Sequence, residues 1–94
     1  MRNYEIILIV HPDLDDDAFN ELINKVKSWI SDSGGEITKE DNWGKRRLAY
    51  AIHKQREGQY MLLNVQIDPA FTKELDHNIR FLEPVMRFLF TTIE

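Results

Sequence analysis

Residues 3–11 read NYEIILIVH, and this stretch decides the fold. Three residues at even positions are apolar, namely Ile6, Leu8 and Val10, and so are Ile7 and Ile9 between them. Alternate side chains of an extended chain point to opposite faces, so both faces of this segment are apolar. Such a segment is typical of a strand in the middle of a sheet, where each face has some cover. The sequence therefore predicts a central β-strand over residues 3–11.

Five further elements follow this strand, which ends at Pro12. Apolar residues at three- and four-residue spacing indicate the helices, and alternation of apolar and polar residues indicates the strands. Gly34 closes the first helix, and Pro84 bars continuation of the second. We predict a helix over residues 15–33, a strand over 36–52 with a bulge near Gly44, a turn over 54–58, a strand over 59–67, a helix beginning at Asp68 and Pro69, and a strand over 85–93.

The element order β-α-β-β-α-β predicts the fold class. With right-handed crossovers it gives an α+β ferredoxin-like split βαβ sandwich, a four-stranded antiparallel sheet with two helices on one face. Strands one and three are expected in the centre of the sheet, with strands two and four at its edges and the other face open. The length predicts a single domain over residues 1–94. Its core is expected to contain Ile6, Leu8, Val26, Ile30, Leu63, Val65, Leu75, Ile79, Phe88 and Phe90.

The composition excludes several function classes. The chain has 94 residues, a formal net charge of −4 and no cysteine, which excludes a disulfide framework and every thiolate metal site. Its longest apolar run, residues 6–10, is too short to span a bilayer, and the N-terminus lacks the features of a signal peptide. We therefore expect a cytoplasmic protein without a membrane partner.

Charge is distributed unevenly along the chain. Residues 1–41 hold 4 basic and 10 acidic residues, whereas residues 42–94 hold 8 basic and 6 acidic residues. Within residues 45–56 there are five cations, one histidine and no acid. The overall acidity argues against binding nucleic acid through a broad basic surface, but it is compatible with a focused basic patch on one edge.

No stretch of the sequence supports a catalytic or metal site. The carboxylates of DLDDD at residues 13–17 resemble the start of a calcium loop, but Ala18 stands where that loop needs glycine and Asn24 where it needs glutamate. The three histidines show no metal-ligand spacing, and no glycine-rich phosphate loop is present. We therefore expect no enzyme activity, no cofactor, no metal and no small-molecule substrate.

One alternative for RNA binding is the RNA recognition motif, which has the same order of strands and helices. The stretch REGQYMLL at residues 56–63 resembles its third-strand signature. That motif stacks bases on aromatic residues of its two central strands, but here strand three offers only Tyr60 and strand one offers Ile7 and Ile9. A module that binds single-stranded RNA outside the ribosome remains an alternative.

The stretch NWGKRRLAYAI at residues 42–52 resembles the family of bacterial small-ribosomal-subunit protein six, whose members carry G-x-RRLAY-x-I. The start MRNYEIILIVHPDLD is similar to that family's opening, and the stretch GQY at 58–60 and V-x-R at 85–87 also fit it. The resemblance covers nearly the whole chain. Many family members continue into a charged C-terminal tail where this sequence ends at Glu94, so we expect no role of such a tail here.

The resemblance implies a protein without catalytic activity that is bound to the ribosome in the cytoplasm. Family members bind the central domain of small-subunit ribosomal RNA together with small-subunit protein eighteen. That partner is very basic, which fits an acidic chain.

The residues expected to bind RNA are the cations and the histidine of the basic segment, together with two arginines on strands one and four. Arg46 and Arg47 are expected on opposite faces of one strand, so that one pairs with a local carboxylate while the other reaches RNA. The full set is Arg2, Lys45, Arg46, Arg47, His53, Lys54, Arg56 and Arg87.

A second set of residues, on the predicted edge strand, is expected to contact the partner protein. Charges on an edge strand also prevent aggregation, and this role is compatible with docking. For Trp43 two interpretations stay open, an anchor for the partner or a cap on the core at the bulge. The set is Glu40, Asp41, Trp43, Leu48 and Tyr50.

Overall fold

The computed structural model describes residues 1–93 and confirms the predicted fold class. The strands form one antiparallel sheet in the order β2-β3-β1-β4, and both helices pack on the same core. The regular elements are β1 (Arg2–Val10), α1 (Asp16–Asp32), β2 (Glu36–Ile52), β3 (Gln55–Ile67), α2 (Thr72–Arg80) and β4 (Val85–Ile93).

The core lies between the sheet and the two helices, as predicted. β1 is central, since Ile6 lies opposite both Leu63 of β3 and Phe90 of β4. Phe88 and Phe90 are only partly buried, because β4 is an edge strand. The other predicted core residues are all buried, namely Ile6, Leu8, Val26, Ile30, Leu63, Val65, Leu75 and Ile79.

A polar side chain caps α1, whereas no side chain caps α2 directly. The Asp15 carboxylate accepts a hydrogen bond from the Ala18 amide at 2.8 Å, which caps α1. Asp68 accepts from the Ala70 amide at 2.9 Å, but it caps a short 3₁₀ turn, Pro69–Phe71, and α2 begins only after it. The predicted second helix therefore started too early, because the cap and proline signals mark the 3₁₀ turn as well as an α-helix.

The bulge predicted near Gly44 is confirmed. The β2–β3 register shifts between Asn42 and Gly44, and Gly44 has a φ of 74°. A glycine in this left-handed region is the usual residue at such a bulge.

The turn predicted over residues 54–58 is wrong. Only His53 and Lys54 form the turn, with φ values of 49° and 66°, and β3 begins at Gln55. Two consecutive residues with positive φ are the requirement of a tight type I′ hairpin turn. The polar, glycine-containing segment KQREG suggested a loop, but most of it is strand paired with β2.

The tight turn closes a two-stranded arm that extends beyond the rest of the sheet. β1 ends at Val10, opposite Gln59 of β3, so residues 46–58 have no third strand beside them. We call residues 46–58 the arm. Within it the register shifts again, since Arg47 faces Glu57 whereas Ile52 faces Gln55, so residues 48–51 bulge out of β2.

Replacing Leu75 by alanine tests the core. Leu75 is 3% exposed and belongs to α2, so we expect Leu75→Ala to lower the free energy of unfolding by about 2–5 kcal/mol. Urea denaturation measures this change. Lys73→Ala, an exposed position on the same helix, serves as the control and should change stability by less than about 0.5 kcal/mol. Equal effects of the two substitutions would contradict the packing described.

Replacing Lys54 by glycine tests the turn. Lys54 has a positive φ, which is sterically unfavourable for a residue with a Cβ atom and is relieved by glycine. Glycine also makes the unfolded chain more flexible, which offsets part of this gain. We therefore expect Lys54→Gly to raise the free energy of unfolding by roughly 0.5–1 kcal/mol. Arg56→Gly, two residues later within β3, should lower stability instead. If thermal denaturation showed a loss of stability for both variants, the left-handed turn would be incorrect.

Candidate nucleic-acid interface

The predicted RNA-binding residues between positions 45 and 56 lie on the arm or at its base. All of them are exposed to solvent. They are Lys45 at the base, Arg46 and Arg47 on β2, His53 and Lys54 at the tip, and Arg56 on β3.

Most of these cations have no polar partner among residues 1–93. Within residues 1–93, none of Lys45, Arg47, Lys54 and Arg56 makes an ion pair or a side-chain hydrogen bond. Arg47 lies opposite Glu57 in the register, but the two side chains form no ion pair. The expectation that Arg46 or Arg47 pairs with a local carboxylate is therefore wrong, as is common for exposed cross-strand charges. Their charges stay available to an anion from outside the chain.

Arg46 instead stacks on an aromatic pair at the Gly44 bulge. Its guanidinium carbon lies 5.4 Å from the ring centroid of Trp43, and Trp43 stacks on Tyr60 with centroids 6.0 Å apart. The Trp43 indole N–H donates to Asp41 Oδ2 at 3.1 Å. Trp43 is 36% exposed and does not belong to the core cluster, which excludes the interpretation of Trp43 as a cap on the core.

The arm approaches the edge strand β4. Tyr50, in the bulged part of the arm, has its hydroxyl hydrogen-bonded to the guanidinium of Arg87 on β4. The tip residue His53 and Arg87 line the same groove of about 500 Å³, and Arg80 of α2 lies on it too. Two predicted RNA-binding residues that are far apart in sequence, His53 and Arg87, are therefore brought together.

Arg80 is a residue that the sequence reasoning missed. It lies in the last turn of α2, donates to Asp76 Oδ2 at 3.0 Å and places its guanidinium carbon 5.9 Å from the Phe88 ring centroid. Arg80 follows Asp76 by four residues, so the sequence accounts for its charge through an ion pair within the helix and suggests no further role. Nothing in the one-dimensional sequence indicates that the end of α2 lies beside the tip of the arm, so this signal exists only in the folded chain.

Arg2 does not join the arm. It lies at the start of β1 opposite Ile67, whereas the arm extends from the other end of that strand, next to Val10. At about 3.3 Å per residue, the length of β1 separates Arg2 from the base of the arm by roughly 26 Å. Only an extended ligand such as a nucleic acid could contact both.

Four of the five residues expected to contact a partner protein form polar contacts within the chain. Glu40 forms an ion pair with Lys27 of α1 at 2.6 Å, and Asp41 accepts from Trp43. Tyr50 is 62% exposed although its hydroxyl bonds Arg87, and Leu48 is half-buried. The backbone of β2 nevertheless has an open edge, since the strand is the last one in the sheet.

The sheet face away from the helices carries an apolar row across three strands. Leu89, Ile7 and Leu62 lie side by side in the register, and Leu89 is 44% exposed. Tyr60 is the only aromatic residue that β1 and β3 place on this face, and Trp43 stacks on it. The face therefore lacks the aromatic platform of an RNA recognition motif.

The described part of the chain, residues 1–93, contains no group of three or more His, Asp or Glu side chains that could hold a metal ion. Asp15, from the acidic run that resembles a calcium loop, serves as the cap of α1. No helix among these residues is both long and apolar enough to cross a membrane.

Comparison with known proteins identifies relatives along the whole chain. The sequence model of the family described as Ribosomal protein S6 matches residues 3–92. Small ribosomal subunit protein bS6 of Moorella thermoacetica is 39% identical over 94 residues, covering 100% of this chain and 96% of the relative. The corresponding protein of Clostridium acetobutylicum is 43% identical over 94 residues, covering 100% of this chain and 99% of its own length.

Solved structures agree with the sequence comparison. The crystal structure of 30S ribosomal protein S6 from Thermotoga maritima superposes with a TM-score of 0.93 at 28% identity, covering 98% of this chain and 87% of that one. One chain of the structure of the chemotaxis kinase CheA P2 domain in complex with CheY, also from Thermotoga maritima, matches with a TM-score of 0.65 at 13% identity, covering 98% of this chain and 98% of that one, which shows similarity of fold alone.

Removing the Tyr50 hydroxyl tests whether it holds the arm. We expect Tyr50→Phe to free Arg87 and to speed hydrogen exchange of the amides in residues 46–58, while exchange in β1 stays unchanged. Tyr60→Phe is the matched control, because its hydroxyl bonds no other residue within 1–93. Unchanged exchange in the arm of the Tyr50→Phe variant would rule out the tether.

Proposed function

Because the chain belongs to the ribosomal protein S6 family, we propose that it is a structural component of the small ribosomal subunit that binds the central domain of small-subunit ribosomal RNA together with small-subunit protein eighteen. In this role it has no catalytic activity and needs no cofactor, and it is bound to ribosomes in the cytoplasm. The observation that carries the RNA contact is the arm, whose cations have no ion-pair partners within residues 1–93.

The geometry of the arm explains how a chain of net charge −4 can approach RNA. The acidic start of α1 lies near the base of the arm, where Gln59 Nε2 donates to the Leu14 carbonyl at 2.8 Å. At about 3.3 Å per residue, Gln55 beside the tip lies roughly 13 Å along β3 from Gln59, which is more than the Debye length of about 8 Å at physiological ionic strength. The charge at the tip of the arm is therefore largely screened from these carboxylates. Guanidinium groups such as those of Arg46 and Arg47 suit phosphate, because their donors bind two oxygens at once.

The groove beside β4 extends this contact surface. His53, Arg80 and Arg87 come from the arm, α2 and β4, so a phosphate backbone that follows the arm meets nitrogen donors from three elements, two of them guanidinium groups. Asp76, a carboxylate on the same groove, is paired with Arg80. The Arg87 guanidinium is already oriented by the Tyr50 hydroxyl. An oriented donor loses less side-chain entropy on binding than a free one.

The partner protein would dock on β2 and the sheet face beside it. β2 has an unpaired edge, and the neighbouring surface carries Trp43 and the half-buried Leu48. Pairing of an extended segment with an open edge gives affinity through main-chain hydrogen bonds. A basic partner would also reduce the repulsion between this acidic chain and RNA, so partner and RNA should strengthen each other's binding.

A titration of the central domain of small-subunit RNA tests this function. We expect weak binding by the chain alone and much tighter binding with small-subunit protein eighteen. The double variant Arg46→Ala and Arg47→Ala should weaken the ternary complex and lower the slope of log affinity against log salt by up to about 1.4–1.8, since each lost phosphate contact contributes about 0.7–0.9.

The matched control removes two positive charges from the helices. Lys25→Ala with Lys73→Ala changes net charge equally, and both positions are exposed. This control should leave the salt slope nearly unchanged. Equal affinity with and without the partner would reject cooperation, and equal effects of the two double variants would reject the arm as the RNA contact.

A further inference from the structure

A small groove lies on the helical side of the molecule, away from the arm. It is formed where the end of α1 meets the 3₁₀ turn and the start of α2, and it has a volume of about 280 Å³. Trp29 and Phe71 provide aromatic walls, and the buried Leu75 lies at its base. Phe71 is 39% exposed, so part of its ring is open to solvent beside the buried Leu75.

The charges of this groove are all of one sign. Of the described residues that line it, Asp32 and Glu74 are carboxylates and none is a cation. Neither carboxylate forms an ion pair within residues 1–93, whereas Glu40 and Asp76, which also lie near the helices, are paired with Lys27 and Arg80.

The end of helix α1 adds to this negative potential. Its last turn contains no basic residue, although the C-terminal end of a helix favours a cation. The Ser33 hydroxyl donates to the carbonyls of Trp29 and Ile30 at 2.7 and 3.1 Å, but it brings no charge. The nearby cation Lys25 lies 5.9 Å from the Trp29 ring centroid, at the outer limit of a cation–π contact.

We propose that this groove binds an arginine side chain presented by a basic protein segment. A planar guanidinium stacks on aromatic rings and donates several hydrogen bonds in one plane, so it can contact Trp29 or Phe71 while it binds Asp32 and Glu74. The acidic lining excludes a nucleic acid backbone. This contact with a protein goes beyond the proposed binding of RNA through the arm, and it uses none of the residues of the arm.

Binding of a short peptide of alternating leucine and arginine tests the proposal. The chain contains two tryptophans, so Trp43→Phe leaves Trp29 as the only indole reporter. In this background we expect a saturable change of Trp29 fluorescence and of its indole N–H resonance. The same peptide with citrulline, which has the shape of arginine without its charge, should not bind.

Two double variants with the same change of net charge distinguish a site from general attraction. Asp32→Asn with Glu74→Gln should weaken peptide binding by about ten-fold or more, as expected for lost charge-assisted hydrogen bonds. Asp16→Asn with Asp17→Asn, at the other end of α1, should have less than about a two-fold effect, because distant exposed charges are screened.

Three results would overturn the proposal: no saturable change of Trp29, equal binding of the citrulline peptide, or equal weakening by both double variants. The RNA titration distinguishes a failure of this proposal from a failure of the proposed function. Asp32→Asn with Glu74→Gln should leave binding of RNA by the chain alone unchanged, so the groove and the arm can fail independently.

Discussion

The length of β1 is the constraint on which the rest of the structure depends. β1 has 9 residues and pairs with β3 on one side and β4 on the other, while β2 and β3 have 17 and 13 residues. The nine positions of β1 supply the centre of the core, where Ile6 lies between Leu63 and Phe90. Beyond Val10 the longer strands continue without a neighbour. The same strand that organises the core therefore leaves the arm without a third strand beside it, and its side-chain contact with β4 is the hydrogen bond between Tyr50 and Arg87.

This arrangement places positive charge at the tip of the arm, beyond the acidic start of α1. Within residues 1–93 the cations of the arm form no ion pair, whereas α1 is capped by Asp15 and begins with Asp16 and Asp17, near the base of the arm, where Gln59 Nε2 donates to the Leu14 carbonyl. Because exposed charges act only over about a Debye length, the tip can face RNA although carboxylates lie near the base. An acidic overall composition is thus compatible with RNA binding, since the relevant charge is that of the arm.

Much of this architecture could be predicted from the sequence. Apolar periodicity gave the central strand and the two helices, and Gly44 indicated the bulge, because these are local signals. The turn at His53 and Lys54 could not be predicted, since neither residue favours positive φ and the hairpin is fixed by strand pairing. The contact of Tyr50 with Arg87 and the place of Arg80 beside His53 depend on how the arm bends, which no spacing in the sequence reveals.

Directed cleavage of RNA tests the central claim, that the arm is the surface that meets RNA. The chain has no cysteine, so His53→Cys at the tip and Ser31→Cys, an exposed position at the end of α1 and at the opposite end of the sheet, each give a single attachment point for an iron chelate. In complexes of the two labelled chains with small-subunit RNA and small-subunit protein eighteen, hydroxyl radicals should cut the central domain strongly from position 53 and weakly from position 31. Strong cleavage from position 31 with little from position 53 would contradict the account.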